Sequence, residues 1–454
     1  MPAGAPGRLA RAGRQAARHY RSHSFIKFHS RGANGDSADP REIRERLAAN
    51  RNATWSDMTP ESRFPGRPDG TRAGTGAAPA VLSELLRQAD VTIDGPRAWD
   101  IQVHDAQVYR RVFASWSLGL GEAYLDGQWD CDRLDVLFTK LLRADLDGAA
   151  LGLAKLRLAA GHLRHRLFNL QSESRAFQVG EQHYDAGNDV FEAMLDTRMI
   201  YSCGYWEHAT DLEQAQIDKL DMLCRKLRLR PGETLLDIGC GWGGLAKFAA
   251  ERYGAKVTGV TVSKEQLALA QERCRGLPVT LLLRDYRELR GRFDKIVSVG
   301  MFEHVGPKNY ATYFDTAKRL LAPEGVFVLH SIGIATEAAG TDPWIDRYVF
   351  PNGKLPSARQ IVEAVDGRFI IEDWHNFGPD YDRTLMAWWD RFEAAWPALQ
   401  ARYGQRFYRM WKYYLLCCAG FFRSRQGQLW QLVLTHPERS ETYRSVRLGG
   451  GLGC

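Results

Sequence analysis

The chain has 454 residues, of which 44% are apolar and 25% charged, and a formal net charge of +7. That length exceeds one ordinary domain, and the composition is that of a soluble globular protein. The whole charge excess lies in residues 1–80, which hold fourteen Lys and Arg against seven Asp and Glu; the remainder balances at forty-seven of each sign, which argues against a nucleic-acid binder.

Residues 1–80 are expected to form a disordered basic extension, because segments such as Pro65-Gly66-Arg67-Pro68-Asp69-Gly70 cannot build a core. The first 35 residues carry Arg8, Arg11, Arg14, Arg18, Arg21, Lys27 and Arg31 and no acid. That pattern suits a transit-like peptide or a membrane-surface arm; a dispensable tail, with Met58 as an alternative start, is the simpler reading. Residues 81–147 predict a small, mostly helical domain with some short strands. Leu82, Leu85 and Leu86 share one helix face, Arg111 to Trp116 fall in a second helix, Leu118-Gly119-Leu120-Gly121-Glu122 reads as a turn, and Leu134 to Leu142 mark a third helix. Residues 148–178 read as a basic helical linker. From 179 to the end an α/β pattern takes over, with strands expected at 233–239, 256–261, 279–285, 293–300, 325–332, 368–374 and 429–435. Seven strands alternating with helices predict a doubly wound, Rossmann-like sheet. A long helical segment rich in Trp, Tyr and Phe is expected over 383–425, its aromatic stripe being more often core packing than a ligand wall. The longest apolar run near the C-terminus, Tyr413 to Phe422, is shorter than the roughly 20 residues that span a bilayer. Eight cysteines without a C-x-x-C pair argue for reduced thiols and against a zinc site or a disulfide scaffold.

The segment Leu235-Leu236-Asp237-Ile238-Gly239-Cys240-Gly241-Trp242-Gly243 carries the most chemical information. An apolar strand ends on an acid and runs into a glycine-dense turn that opens a helix. Such a turn lets the backbone approach a nucleotide-like ligand where a β-carbon would intervene. The next strand ends at Thr261, where a nicotinamide-binding fold would place a ribose-binding acid. Thr261, Ser263 and Gln266 offer neutral hydrogen bonds instead, which favours S-adenosylmethionine over a dinucleotide.

Further motifs follow in order: His183-Tyr184-Asp185 with Gly187-Asn188-Asp189, Tyr201-Ser202-Cys203, the glycine turn, Gly300-Met301-Phe302-Glu303-His304-Val305-Gly306, and Phe350-Pro351-Asn352-Gly353. Together they resemble the cyclopropane-fatty-acyl-phospholipid synthase family, and less closely the mycolic acid cyclopropane synthases, over roughly residues 81–435. The resemblance implies a catalytic methyltransferase domain over 179–454 with a helical acyl-binding insertion, some of whose aromatic residues, such as Trp389 and Phe392, would line the acyl tunnel, and a lipid-binding role for 81–147. It implies transfer of a methylene from S-adenosylmethionine to the cis double bond of an unsaturated phospholipid acyl chain. Bound bicarbonate would be the base, with Cys203, Glu303, His330, Ile332 and Tyr381 around it. Glu303 would accept from bicarbonate, His330 and Tyr381 would orient it, and Cys203 and Ile332 would add backbone groups. Cys418 matches a cysteine once considered a nucleophile, although the mechanism needs no covalent adduct. Cofactor contacts are implied from Tyr201 and Ser202, Leu235 through Gly243, Thr261, Val262, Ser263 and Gln266, and Asp285 with Tyr286. Asp285 would bond the adenine amino group.

A homodimer in the cytoplasm, meeting the inner face of the membrane peripherally through surface arginines, is also implied. Lys155, Arg157, Arg164 and Arg166 of the linker would face anionic head groups. A fatty-acyl methyltransferase giving a methyl or methylene branch, or a non-catalytic lipid-binding homologue, would share much of this pattern. Without the resemblance, Glu303-His304 reads more often as a helix cap than as a catalytic pair, and His330 more often as a core histidine.

Overall fold

The computed structural model of the chain describes residues 77–144, 187–337 and 340–447. The readings made for 1–76, for the 148–178 linker and for His183-Tyr184-Asp185 lie outside the described residues. The leading segment contains α1 (Ala80–Gln88), β1 (Gln102–Val103), α2 (Gln107–Leu125), β2 (Trp129–Asp130) and α3 (Leu134–Arg143), with β1 and β2 antiparallel. The turn expected at 118–122 is helix. The chain breaks earlier, at Ser115 and at Trp116 with its φ of 50°. Gly119 and Gly121 are small for packing: a β-carbon would stand 2.0 Å from the Arg111 carbonyl oxygen or 2.3 Å from the Trp344 ring.

After α4 (Gly187–Met194) and α5 (Leu212–Lys226) comes the main sheet: β3 (Thr234–Ile238), β4 (Lys256–Thr261), β5 (Val279–Leu283), β6 (Phe293–Val299), β7 (Leu321–Ile334), β8 (Ile370–Asn376) and β9 (Gly427–Thr435). All seven expected strands are present. Their spatial order is β5-β4-β3-β6-β7-β9-β8, parallel throughout except that β9 runs antiparallel to both neighbours. Helices α6 (Gly244–Tyr253), α7 (Lys264–Arg273), α8 (Tyr310–Leu320), α9 (Pro343–Tyr348), α10 (Ala358–Val365) and α11 (Pro379–Arg423) fill the connections.

The central strands are apolar on both sides because both faces are covered. Leu235 packs with Leu220, Leu223 and Phe248 on one face, whereas Leu236 and Ile238 pack with Phe314, Phe327 and Ile361 on the other. The strand order reverses beside β3, which connects outward to β4 and β5 while β6 and β7 extend the other way. Such a switch opens a crevice at the strands' carboxyl ends.

Helix α11 changes direction at Gly404, whose φ is +71°. Its aromatic stripe is largely core, with Trp388 and Phe392 fully buried and Phe407, Trp411 and Tyr414 nearly so. Leu86, Tyr124 and Leu137 of the leading segment belong to the same apolar cluster as Phe191, Trp388 and Trp411. Arg423 on α11 reaches Asp135 of α3 at 2.5 Å. Among the described residues, no helix is long and apolar enough to cross a membrane.

Candidate active site

The carboxyl ends of β3, β4, β5 and β6 open onto one cavity. The glycine turn forms its floor. Gly239, Gly241 and Gly243 have φ of +86°, +53° and +78°. A β-carbon at Gly241 would meet nothing within 4 Å, so this turn presents bare backbone to the cavity. Asp237, Ile238, Gly239, Cys240, Gly241 and Trp242 line it, joined by Tyr201 and Ser202 from the segment before α5. Thr261, Val262, Ser263 and Gln266 close one side, with Asp285 and Tyr286 beside them. Leu235, Leu236 and Gly243 do not line the cavity: the two leucines point into the cores on opposite sheet faces, and Gly243 packs against Ala270 and Cys274.

Several of these polar groups are engaged within the chain. Ser263 caps α7 by accepting from the Gln266 N–H, and Thr261 Oγ1 donates to Gln266 Oε1 at 3.1 Å. Asp285 accepts two bonds from the Arg287 guanidinium, at 2.8 and 2.5 Å, so a ligand amino group would share a carboxylate already paired. Trp242 Nε1 donates to Asn188 Oδ1 at 3.1 Å, tying the Gly187-Asn188-Asp189 motif to the turn.

Asp237 differs from these. It is almost wholly buried, its Oδ2 has no partner among the described residues, and burial pushes its carboxyl up to about 7 against the pull of Lys219. Lys219 was not foreseen from the sequence. It projects from α5 into the cavity wall and donates to Ser202 Oγ at 2.8 Å. Burial lowers its pKa to about 8, opposed by Asp196, Cys203 and Asp237. An unpartnered acid beside bare backbone fits a ligand carrying a sulfonium and an ammonium. Cofactor affinity is therefore expected to rise with pH through about 7, as Asp237 ionises to meet a cation. Calorimetric titration with S-adenosylmethionine from about pH 5.5 to about pH 8 measures this; a flat profile would count against Asp237 as the cationic ligand's partner.

The six residues implied in the chemistry do not line this cavity. Glu303 follows the cavity residues Gly300 and Met301, and its Oε1 accepts from the Ile332 N–H at 2.6 Å. Ile332 thus orients the carboxylate with the group expected to meet bicarbonate. Glu303 Oε2 and His330 Nε2 are both buried without a partner among the described residues. Burial raises Glu303 to about 7 and drives His330 well below the usual imidazole range. Tyr381 stacks on Phe422 at 4.4 Å and stands edge-on to Trp388 at 6.1 Å. Burial keeps its hydroxyl protonated, and the nearby Glu303 carboxylate adds to that effect. One turn along α11, Thr384 accepts from the Gly204 N–H at 3.0 Å and lies 3.7 Å from Cys203 Sγ, which pins the Cys203 segment beside Tyr381. Burial pushes the Cys203 thiol up, so it is neutral and unsuited to nucleophilic attack.

This sheet order, with a glycine turn after its first strand and an acid-lined cavity at the switch, defines an S-adenosylmethionine-dependent methyltransferase. The family described as mycolic acid cyclopropane synthetase matches residues 171–432, and the chain belongs to it. It is similar to cyclopropane-fatty-acyl-phospholipid synthase of Escherichia coli strain K12, with 56% identity over 357 residues, covering 78% of this chain and 92% of that one. It also resembles two solved structures, each 32% identical and covering 57% of this chain and 97% of theirs. These are the cyclopropane synthase MmaA2 from Mycobacterium tuberculosis, with a TM-score of 0.54, and the mycolic acid cyclopropane synthase CmaA1 complexed with SAH and CTAB, with a TM-score of 0.52.

Proposed function

We propose that this chain converts cis double bonds of phospholipid acyl chains into cyclopropane rings. The observation that carries this reading is that Glu303 Oε2 and His330 Nε2 are both buried without a partner among the described residues, with Glu303 held by the N–H of Ile332, two positions beyond His330 on β7. S-adenosylmethionine supplies an electrophilic methyl, strong enough for a nucleophile as weak as an alkene. The acyl chain is left with a positive charge after methyl transfer, and loss of a proton from the new methyl closes the ring. Water must be kept from that cation. Phe422, Trp388 and Tyr381 provide a dry wall, and the Tyr381 ring can face the charge.

Bicarbonate suits the role of proton acceptor here, since a carboxyl oxygen and an imidazole nitrogen left without partners among the described residues match its hydroxyl and its oxygens. Glu303 would hold it, His330 would donate to it, and Tyr381, kept protonated, would orient it. Cys203 contributes backbone near that position. Cys418 lies near enough to affect Tyr381 and Tyr414, but the chemistry asks no covalent step of it.

The lipid requires a membrane encounter, which we assign to the leading segment of a peripherally bound homodimer at the cytoplasmic face. Phe113 on α2, 54% exposed, supports that assignment. The test is S-adenosylhomocysteine release with vesicles of unsaturated or fully saturated phospholipid, in the presence and absence of bicarbonate. Release is expected only with unsaturated chains and to fall when bicarbonate is removed. Equal release from saturated vesicles would refute the substrate assignment.

A further inference from the structure

Gln431 lies at the centre of a buried polar row of which the chemistry above uses only His330. β9 pairs with β7 on one side and β8 on the other, and its register sets His330, Gln431 and His375 side by side across three strands. Gln431 is wholly buried and His330 nearly so. One end of the Gln431 amide stands 3.1 Å from His330 Nδ1, while its Oε1 accepts from Lys226 Nζ at 2.8 Å. Lys226, at the end of α5, also reaches His375 Nδ1 at 3.1 Å and lies 3.8 Å from Asp373. Asp373 is paired in turn with Arg447, at 2.7 Å for one of its two bonds.

The cationic end sets the direction of every bond in this row. An ammonium donates and cannot accept, so it selects the carbonyl end of Gln431. The amide N–H₂ then faces His330, whose Nδ1 must accept. A neutral imidazole that accepts at Nδ1 carries its proton on Nε2. That Nε2 has no partner among the described residues, and His330 stands two positions before Ile332, the residue that orients Glu303.

We propose that Lys226 and Gln431 are positioning residues that lock His330 in its Nε2–H form, so that it presents a donor toward the group held by Glu303. This inference rests on the reading of Glu303 and His330 as the proton-acceptor site. Burial, with the nearby ammonium groups of Lys219 and Lys226, keeps His330 neutral, which makes its tautomer the deciding variable. Asp373 opposes the burial that lowers Lys226 to about 7, and below that pH the lysine is an ammonium. The alternative tautomer would aim a lone pair where a donor is needed, a fault of orientation rather than of folding.

The test uses the full chain with ¹⁵N-labelled histidine rings at about pH 6, where the imidazole is neutral and Lys226 charged. The His330 signals are assigned by their loss in His330→Gln. The parent is expected to show a protonated Nε2 and an unprotonated Nδ1. In Gln431→Glu, a carboxylate accepts from both Lys226 and His330, so the row keeps its shape while the ring proton moves to Nδ1. That variant is expected to invert the tautomer, leave S-adenosylhomocysteine affinity within about two-fold, and lower kcat by roughly 10²–10⁴-fold, the scale seen when a catalytic histidine is held in the wrong tautomer. A protonated Nδ1 in the parent would overturn the proposal whether or not the variant folds, as would an unchanged tautomer in a folded Gln431→Glu. Inversion with turnover intact would uphold the row and instead contradict the acceptor-site reading.

Discussion

Replacing Glu303 with glutamine is expected to lower turnover by roughly 10²–10⁴-fold, because the proton acceptor it holds is lost or displaced, while cofactor affinity stays within a few-fold. The same change should make the folded chain more stable. An unfolded glutamate ionises near its ordinary value of 4.5, whereas burial holds the Glu303 carboxyl up to about 7. The folded state therefore binds the proton more tightly. Stability falls as pH rises from about 4.5 to about 7, and above that the whole cost of a buried charge is present. At about 1.4 kcal/mol per pH unit the penalty is on the order of 3 kcal/mol. Glutamine carries no charge and keeps the oxygen that accepts from Ile332. Calorimetric melting at about pH 8 should show Glu303→Gln above the parent by several degrees, with the gap narrowing toward about pH 5. A variant that melts below the parent at the higher pH would mean that the carboxylate serves the fold rather than the chemistry.

Gly241→Asn tests the other half of the site. Gly241 has a φ of +53°, a conformation that asparagine tolerates better than most residues. A side chain there would meet nothing within 4 Å, so the fold has room for it. That room is the cavity itself, where the backbone must lie bare for a nucleoside to approach. The expected result is at least about 10²-fold weaker S-adenosylhomocysteine binding, a loss of about 3 kcal/mol. Melting temperature should shift by only a few degrees. Binding unchanged by the added side chain would place the cofactor elsewhere.

The sheet was legible because buried parallel strands read as short apolar runs closed by turns, and all seven could be found that way. The leading segment misled at one point. Gly119 and Gly121 look like turn residues, yet they lie in a helix and leave space for Arg111 and Trp344. Periodicity cannot tell a glycine needed for its backbone from one needed for its lack of a side chain.

The glycine turn announced the cavity at the strands' carboxyl ends by local chemistry alone. Glu303, His330, Ile332 and Tyr381 came only from the resemblance, since they lie on three segments far apart in sequence and their neighbourhood is made by the fold. Lys219, Lys226 and Gln431 carried no signal of their own. A lysine in a helix ordinarily reads as a solvated face, and only packing reveals that α5 turns two of them inward.

In the proposed reaction an alkene in a lipid bilayer receives a one-carbon unit that closes into a ring. The most direct test is proton NMR of phospholipid recovered after incubation of unsaturated vesicles with the chain, bicarbonate and ¹³C-methyl S-adenosylmethionine. Labelled ring-methylene resonances are expected upfield of the ordinary methyl region. Label found in a methyl or exomethylene branch, or absent from the lipid, would contradict that reaction.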